Sequence, residues 1–188
     1  FSSAAYLNTA GAFSLLPLDA SASFGVAQTI ASNTILAAGV SGLTIGKSGS
    51  TANVTVNTAQ TVAGPISVYG GNVIVNSNLR STAQGADILL KATGTITASA
   101  GTSSSAYRTL QTNNGDIVLW SNAAGGTAGG VQVGDWTTLN TANGLTNQTT
   151  GGGKIWLAGG SAVNSDGLPT GPAVGTGSGR TGVSLGLL

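Results

Sequence analysis

An all-β coil of stacked parallel rungs is the fold class that this 188-residue sequence predicts, and three observations predict it. A short phrase recurs as Gly71-Asn72-Val73-Ile74-Val75, Ala86-Asp87-Ile88-Leu89-Leu90, Gly115-Asp116-Ile117-Val118-Leu119-Trp120 and Gly153-Lys154-Ile155-Trp156-Leu157. Each copy sets a small residue and a polar residue before a compact apolar run, the pattern of a tight turn feeding a buried strand. The first apolar residues of successive copies lie 15 (73 to 88), 29 (88 to 117) and 38 (117 to 155) residues apart. Such unequal gaps argue against a rigid short-period coil, and calcium-binding Gly-Asp nonapeptides are lacking, so the spacing fits a parallel β-helix with variable loops. Each full turn would contribute two or three strands. Finally, no window of a dozen residues carries a 3.6-residue apolar period free of Gly clusters, so helix is not expected.

Residues 1–40 hold a single charge, Asp19, and the bulky run Phe13-Ser14-Leu15-Leu16-Pro17-Leu18. Pro17 has no amide to donate and bars a central sheet position. This part reads as an irregular N-terminal cap or strand-donating segment, with an extended piece near Gly25 to Leu36, and residues 41–188 as the solenoid domain. Alternation becomes clear at Leu43-Thr44-Ile45 and Val54-Thr55-Val56, then at Ile66-Ser67-Val68-Tyr69 and the first copy of the phrase. Further short strands are expected at Thr95-Ile96-Thr97 and Val131-Gln132-Val133. The longest loops are expected at 98–106, 122–130 and 140–152, all rich in Gly, Ser, Thr and Asn.

Side chains alternate across a strand, so Val73 and Val75, Ile88 and Leu90, Ile117 and Leu119, and Ile155 and Leu157 are expected to stack as inward columns. The alternate positions are Ile74, Leu89, Val118 and Trp156, followed by Asn76, Lys91, Trp120 and Ala158, an outer stripe that is substantially apolar. Strands apolar on both faces are normally covered on both. Either the loops or the N-terminal segment fold over the stripe, or another chain does. Ile74, Leu89, Val118, Trp120 and Trp156 are the candidate lateral contacts, with the two tryptophans foremost. The sequence closes on Gly182-Val183-Ser184-Leu185-Gly186-Leu187-Leu188, which resembles the start of a rung without a polar cap. Val183, Leu185, Leu187 and Leu188 are therefore candidate end-to-end contacts, and either continuation of the chain or stacking on a neighbour is expected.

Charge is scarce, with 6 basic residues against 5 acidic and no Glu, His, Cys or Met. A net charge of +1 gives no footprint for nucleic acid. No apolar stretch approaches the roughly 20 residues of a membrane span. The 31 glycines would suit disorder, but 40% of the residues are apolar and they cluster as β-branched runs. The start at Phe1, without a basic leader, suggests a processed protein or a piece of a longer one. A Cys-free, Thr- and Asn-rich composition fits a secreted or surface protein.

Chemistry is sparsely signalled. Asp87 and Asp116 hold the same position in two copies, and paired carboxylates about 5–10 Å apart could hydrolyse glycosidic bonds. Asn72 and Lys154 fill that slot elsewhere, so it equally serves a turn in which Asp and Asn bond nearby amides. Serine chemistry lacks a histidine, and Lys47, Lys91 and Lys154 carry no local Ser-Lys signature. Zinc and haem lack their usual ligands. Asp116 with Asn113 and Asn114 could hold calcium, but is also an ordinary turn. Thr93-Gly94-Thr95-Ile96-Thr97 is one threonine array without a repeat. Tyr69, Tyr107 and the tryptophans could stack on sugars or serve packing, and Asn53-Val54-Thr55 and Asn147-Gln148-Thr149 match the glycosylation acceptor. No catalytic, cofactor or metal residue is assigned.

The run Val62-Ala63-Gly64-Pro65-Ile66-Ser67-Val68-Tyr69-Gly70-Gly71, then Asp87-Ile88-Leu89-Leu90-Lys91-Ala92-Thr93-Gly94 and 108–120, resembles the repeat region of very large bacterial surface proteins of the filamentous haemagglutinin type. Gly42-Leu43-Thr44-Ile45-Gly46-Lys47 is similar to segments that precede such repeats, and the likeness spans roughly residues 40 to 185. Residues 1–40 do not match the expected secretion-domain signature. The resemblance implies a right-handed parallel β-helix, export to the cell surface, and adhesion or scaffolding without catalysis. The expected role is thus an extracellular β-solenoid of an adhesin or fibre, with a cell-surface glycan or protein as partner. The alternatives are a filament subunit assembling by strand addition or rung stacking, and a polysaccharide-binding or polysaccharide-cleaving β-helix.

Overall fold

The computed structural model describes residues 5–17, 24, 28–30, 34–144, 151–175 and 182–186. Among them every regular element is a strand, and no helix is long and apolar enough to cross a membrane. The strands fall into groups of three. After β1 (Ala5–Leu7) come β2 (Phe13–Leu15), β3 (Gln28–Ile30) and β4 (Thr34–Leu36), then β5 (Leu43–Ile45), β6 (Val54–Val56) and β7 (Gln60–Val62). The next groups are β8 (Ile66–Gly70), β9 (Val73–Val75) and β10 (Leu79–Gln84), then β11 (Ile88–Ala92), β12 (Ile96–Ala98) and β13 (Arg108–Asn113). They continue with β14 (Ile117–Ser121), β15 (Val131–Val133) and β16 (Thr137–Asn140), and finish with β17 (Ile155–Val163), β18 (Pro169–Gly171) and β19 (Val183–Leu185).

From β5 to β17 the chain visits three sheets in fixed rotation. The first strand of each group joins a seven-stranded sheet that runs from β2 through β5, β8, β11, β14 and β17 to β18. The second joins a six-stranded sheet of β3, β6, β9, β12, β15 and β19, and the third a four-stranded sheet of β7, β10, β13 and β16. β1 pairs with β4, which packs beside β7. Residues 1–40, where described, therefore supply edge strands to the same sheets: β2 pairs with β5 and β3 with β6. All neighbours in these ladders are parallel except β18, which runs antiparallel to β17.

Register explains why the phrase recurs. Phe13 N–H donates to Gly42 O, Leu43 to Pro65, Ile66 to Asp87, Ile88 to Asp116 and Ile117 to Lys154, each at 2.9 Å. Ile66, Ile88, Ile117 and Ile155 thus form one column, and Val68, Leu90, Leu119 and Leu157 the next. The phrase at Gly71 departs from expectation. Val73 and Val75 lie in β9, paired with Val54 and Val56 on one side and Ile96 and Ala98 on the other. They are buried, but in a column of the six-stranded sheet, and the 15-residue step from 73 to 88 crosses between sheets. The stacked partner of Ile88 is Ile66, 22 residues earlier (66 to 88).

The three sheets bury one shared core. Ile66, Ile88, Ile117, Val54, Val73, Ile96, Leu79 and Leu110 belong to a single apolar cluster and are essentially closed to solvent. Each such side chain contributes about 1.5–3 kcal/mol by leaving water. The column ends at β17, where Ile155 is 46% exposed and Leu157 half-buried. Among the described residues only the short β18 lies beyond, and it pairs with the far half of β17. The expected loops fall between β12 and β13, β14 and β15, and β16 and β17, but they are not all the longest, since the chain between β2 and β3 and between β18 and β19 exceeds the first two.

Candidate functional site

The phrase itself is rung-stacking chemistry. A Cβ on Gly115 would sit 2.2 Å from Ala86 O, and one on Gly153 would sit 2.1 Å from Gly115 O, so the small residue is what lets successive turns approach. The polar residue then clasps the next rung: the Asp87 carboxylate accepts Asp116 N–H at 2.6 Å, and Asp116 accepts Lys154 N–H at 2.7 Å. Asn side chains do the same in other corners. Asn53 accepts from Asn72 N–H, Asn72 from Thr95 N–H, and Asn78 from Thr109 N–H, each at 2.9 Å. Hydroxyls brace the same corner as the acids, where Thr112 donates to Gly115 O at 2.5 Å and Thr141 to Gly153 O at 2.9 Å.

Asp87 and Asp116 therefore stack on one edge, each with an oxygen on a backbone amide. Of the oxygens considered for calcium, Asn114 Oδ1 accepts Gly152 N–H at 2.9 Å and Asn113 Oδ1 accepts the Asn114 side-chain amide at 3.5 Å. Among the described residues no group of three or more His, Cys, Asp or Glu is arranged to hold a metal ion. Thr97 donates to Gln132 Oε1 at 3.3 Å within its own sheet. Asn147 lies outside the described residues.

The outer stripe divides between two sheets. Leu89, Val118 and Trp156 are cross-strand neighbours on the seven-stranded sheet, in a row that begins with Ser14, Thr44 and Ser67. Ile74 is not with them: it stands on the six-stranded sheet between Thr55 and Thr97. In the adjacent row Tyr69, Lys91, Trp120 and Ala158 are neighbours. Val118 and Trp120 are buried within the chain, whereas Leu89 and Trp156 are half-buried. The Trp120 indole N–H donates to Gly160 O at 2.7 Å, and that of Trp156 to Pro169 O at 2.9 Å, so both rings are tied to β17 and its hairpin. Lys91 Nζ lies 3.6 Å from the Trp120 ring centroid, and desolvation by burial lowers the Lys91 pKa from its ordinary 10.5. Of the end-to-end candidates, Val183 packs on the core and Leu185 is 68% exposed, both on the edge strand β19. Leu187 and Leu188 lie outside the described residues.

A different surface gathers the exposed polar chemistry. On the outer face of the four-stranded sheet, Thr61, Asn78, Arg80, Thr109 and Gln111 line a depression of about 280 Å³. Thr61 pairs with Arg80, and Arg80 with Gln111. Arg80 is exposed, and its guanidinium has no ion-pair partner among the described residues. Just before β13 and β16 stand Tyr107 and Trp136, 51% and 45% exposed, edge to face with centroids 6.0 Å apart and planes at 80°. Trp136 holds φ at +55°, a conformation costing a bulky residue on the order of 1–3 kcal/mol. Two bonds fix it: Trp136 O accepts Arg108 N–H at 2.9 Å, and Asp135 O accepts Gly101 N–H at 2.8 Å. A Cβ on Gly101 would meet Trp136 O at 2.5 Å. Arg80 and Trp136 carry no motif, and only strand register reveals them.

Comparison with protein-family models, with curated proteins and with solved structures returns no match.

Proposed function

We propose that this chain is a right-handed parallel β-helix serving as an extracellular scaffold and contact surface, a structural segment of a bacterial surface adhesin or fibre of the filamentous haemagglutinin type. The observation that carries this reading is the rotation of parallel strands through three sheets in constant register from β5 to β17. Main-chain bonds repeated at about 4.8 Å give such a coil stiffness along one axis. Its Asp and Asn side chains are engaged in joining rungs, a structural use of residues that would otherwise suggest chemistry. Electron microscopy of the native material tests the role: isolated rods of uniform width support it, and compact particles overturn it.

Self-assembly into a filament is the second reading, favoured by exposed Leu185 on β19, which ends its sheet among the described residues. Under that reading the rods join into ordered polymers, and removal of residues 1–20 abolishes polymerisation. Intact polymers after that deletion would rule out strand addition by the N-terminal segment.

A further inference from the structure

We propose that the outer face of the four-stranded sheet binds an acidic saccharide, a sugar chain carrying carboxylates. The proposal names a ligand class for the contact role above and rests on that reading for its setting. Tyr107 and Trp136 meet at 80° and stay exposed, so together they form an aromatic corner. The other two tryptophans behave differently, each donating its indole N–H to a main-chain carbonyl of the β17–β18 hairpin. The Trp136 N–H has no acceptor among the described residues. A pyranose ring offers a flat face of C–H groups and a rim of hydroxyls: the face packs on an aromatic ring, and the rim needs donors and acceptors.

The neighbouring depression supplies them. Thr61, Thr109, Asn78 and Gln111 present hydroxyls and amides, and Arg80 presents a planar fork that matches a carboxylate bidentately. With adjacent rungs about 4.8 Å apart and about 3.3 Å per residue along a strand, the aromatic corner lies roughly 14 Å from the Arg80 row, so the site spans more than one sugar unit. Charge complementarity selects the acidic form, because Arg80 has no ion-pair partner among the described residues. The left-handed backbone at Trp136, stabilised by the close approach of Gly101, keeps the ring at the rim of this face.

The test is calorimetric titration of the purified protein with oligogalacturonate and hyaluronan oligosaccharides, each beside its methyl ester, which keeps the sugar and removes the charge. At least one acid form binds, and its ester binds at least tenfold more weakly. Arg80→Gln reduces the acid form to the affinity of the ester, a loss of about tenfold to a hundredfold. Trp136→Asn, whose side chain tolerates the left-handed backbone, weakens both forms about tenfold without lowering thermal stability. Failure of every probe to bind, or unchanged binding by both variants, overturns the proposal. Rods without saccharide binding would overturn this site alone, and binding without rods would overturn the scaffold reading alone.

Discussion

The carboxylate of Asp87 accepts the backbone amide of Asp116, 29 residues later in the chain, at 2.6 Å. Asp116 repeats the bond to Lys154 over 38 residues, so the two acids are consecutive links in a clasp that runs along one end of the β11, β14 and β17 ladder. Replacing Asp87 by Asn keeps an acceptor and is expected to change unfolding free energy little. Asp87→Ala removes it and should cost about 1–3 kcal/mol. Urea unfolding of the two variants measures the difference, and equal losses would show that the carboxylate's role is not that of an acceptor.

Close approach of the turns gives a second prediction. Gly115→Ala places a methyl against Ala86 O and forces the two rungs apart, at about 1–3 kcal/mol. Gly85 has nothing within reach of an added Cβ, but its φ of +74° makes it a poor control. Gly39→Ala, with open space and no left-handed φ, is the better one, and should leave the melting temperature close to that of the parent.

The division of the outer stripe is measurable by one matched pair of substitutions. Val118→Thr puts a hydroxyl into a covered apolar row and is expected to cost about 1–3 kcal/mol. Ile74→Thr joins Thr55 and Thr97 on a half-buried row, where threonine suits a strand, and is expected to cost less than about 1 kcal/mol. Similar losses in thermal unfolding would place both residues in equivalent surroundings.

Lys91 gives the chain a pH dependence with a defined sign. Its folded pKa is lowered by desolvation, so between that value and 10.5 the unfolded chain holds more protons than the folded one. Stability should therefore rise with pH through this window and be flat on either side of it, as far as Lys91 is concerned. Attraction of the ammonium to the Trp120 ring acts in the opposite direction. Lys91→Gln should remove the slope, which urea midpoints measured at successive pH values will register, and a slope of opposite sign in the parent would contradict the burial argument.

The repeated phrase was readable because each of its three positions obeys a separate local rule: a glycine for close approach, an oxygen for the next amide, and alternating apolar residues for the core. The same locality limits what it tells. Gly71 and Asn72 meet the same rules as Gly115 and Asp116, since a Cβ on Gly71 would lie 2.0 Å from Thr51 O and Asn72 accepts Thr95 N–H. Turn chemistry marks a corner but does not say which sheet follows it, and so Val73 was expected in the column of Ile88. The pairing of Tyr107 with Trp136 was less legible still. Those residues meet because Arg108 is in register with Thr137, a consequence of the whole turn between them.

The connections between stacked strands vary widely while the register holds. On the six-stranded sheet the step from Val54 to Val73 is 19 residues (54 to 73), and that from Val131 to Val183 is 52 (131 to 183). Lengthening a flexible loop costs only about 0.6 kcal/mol per doubling, so material added at a corner leaves the columns in place. The stacked parallel sheets are thus a rail along which lineages can hang new segments, or engineers can mount cargo, at the 122–130 corner without rewriting the core beneath.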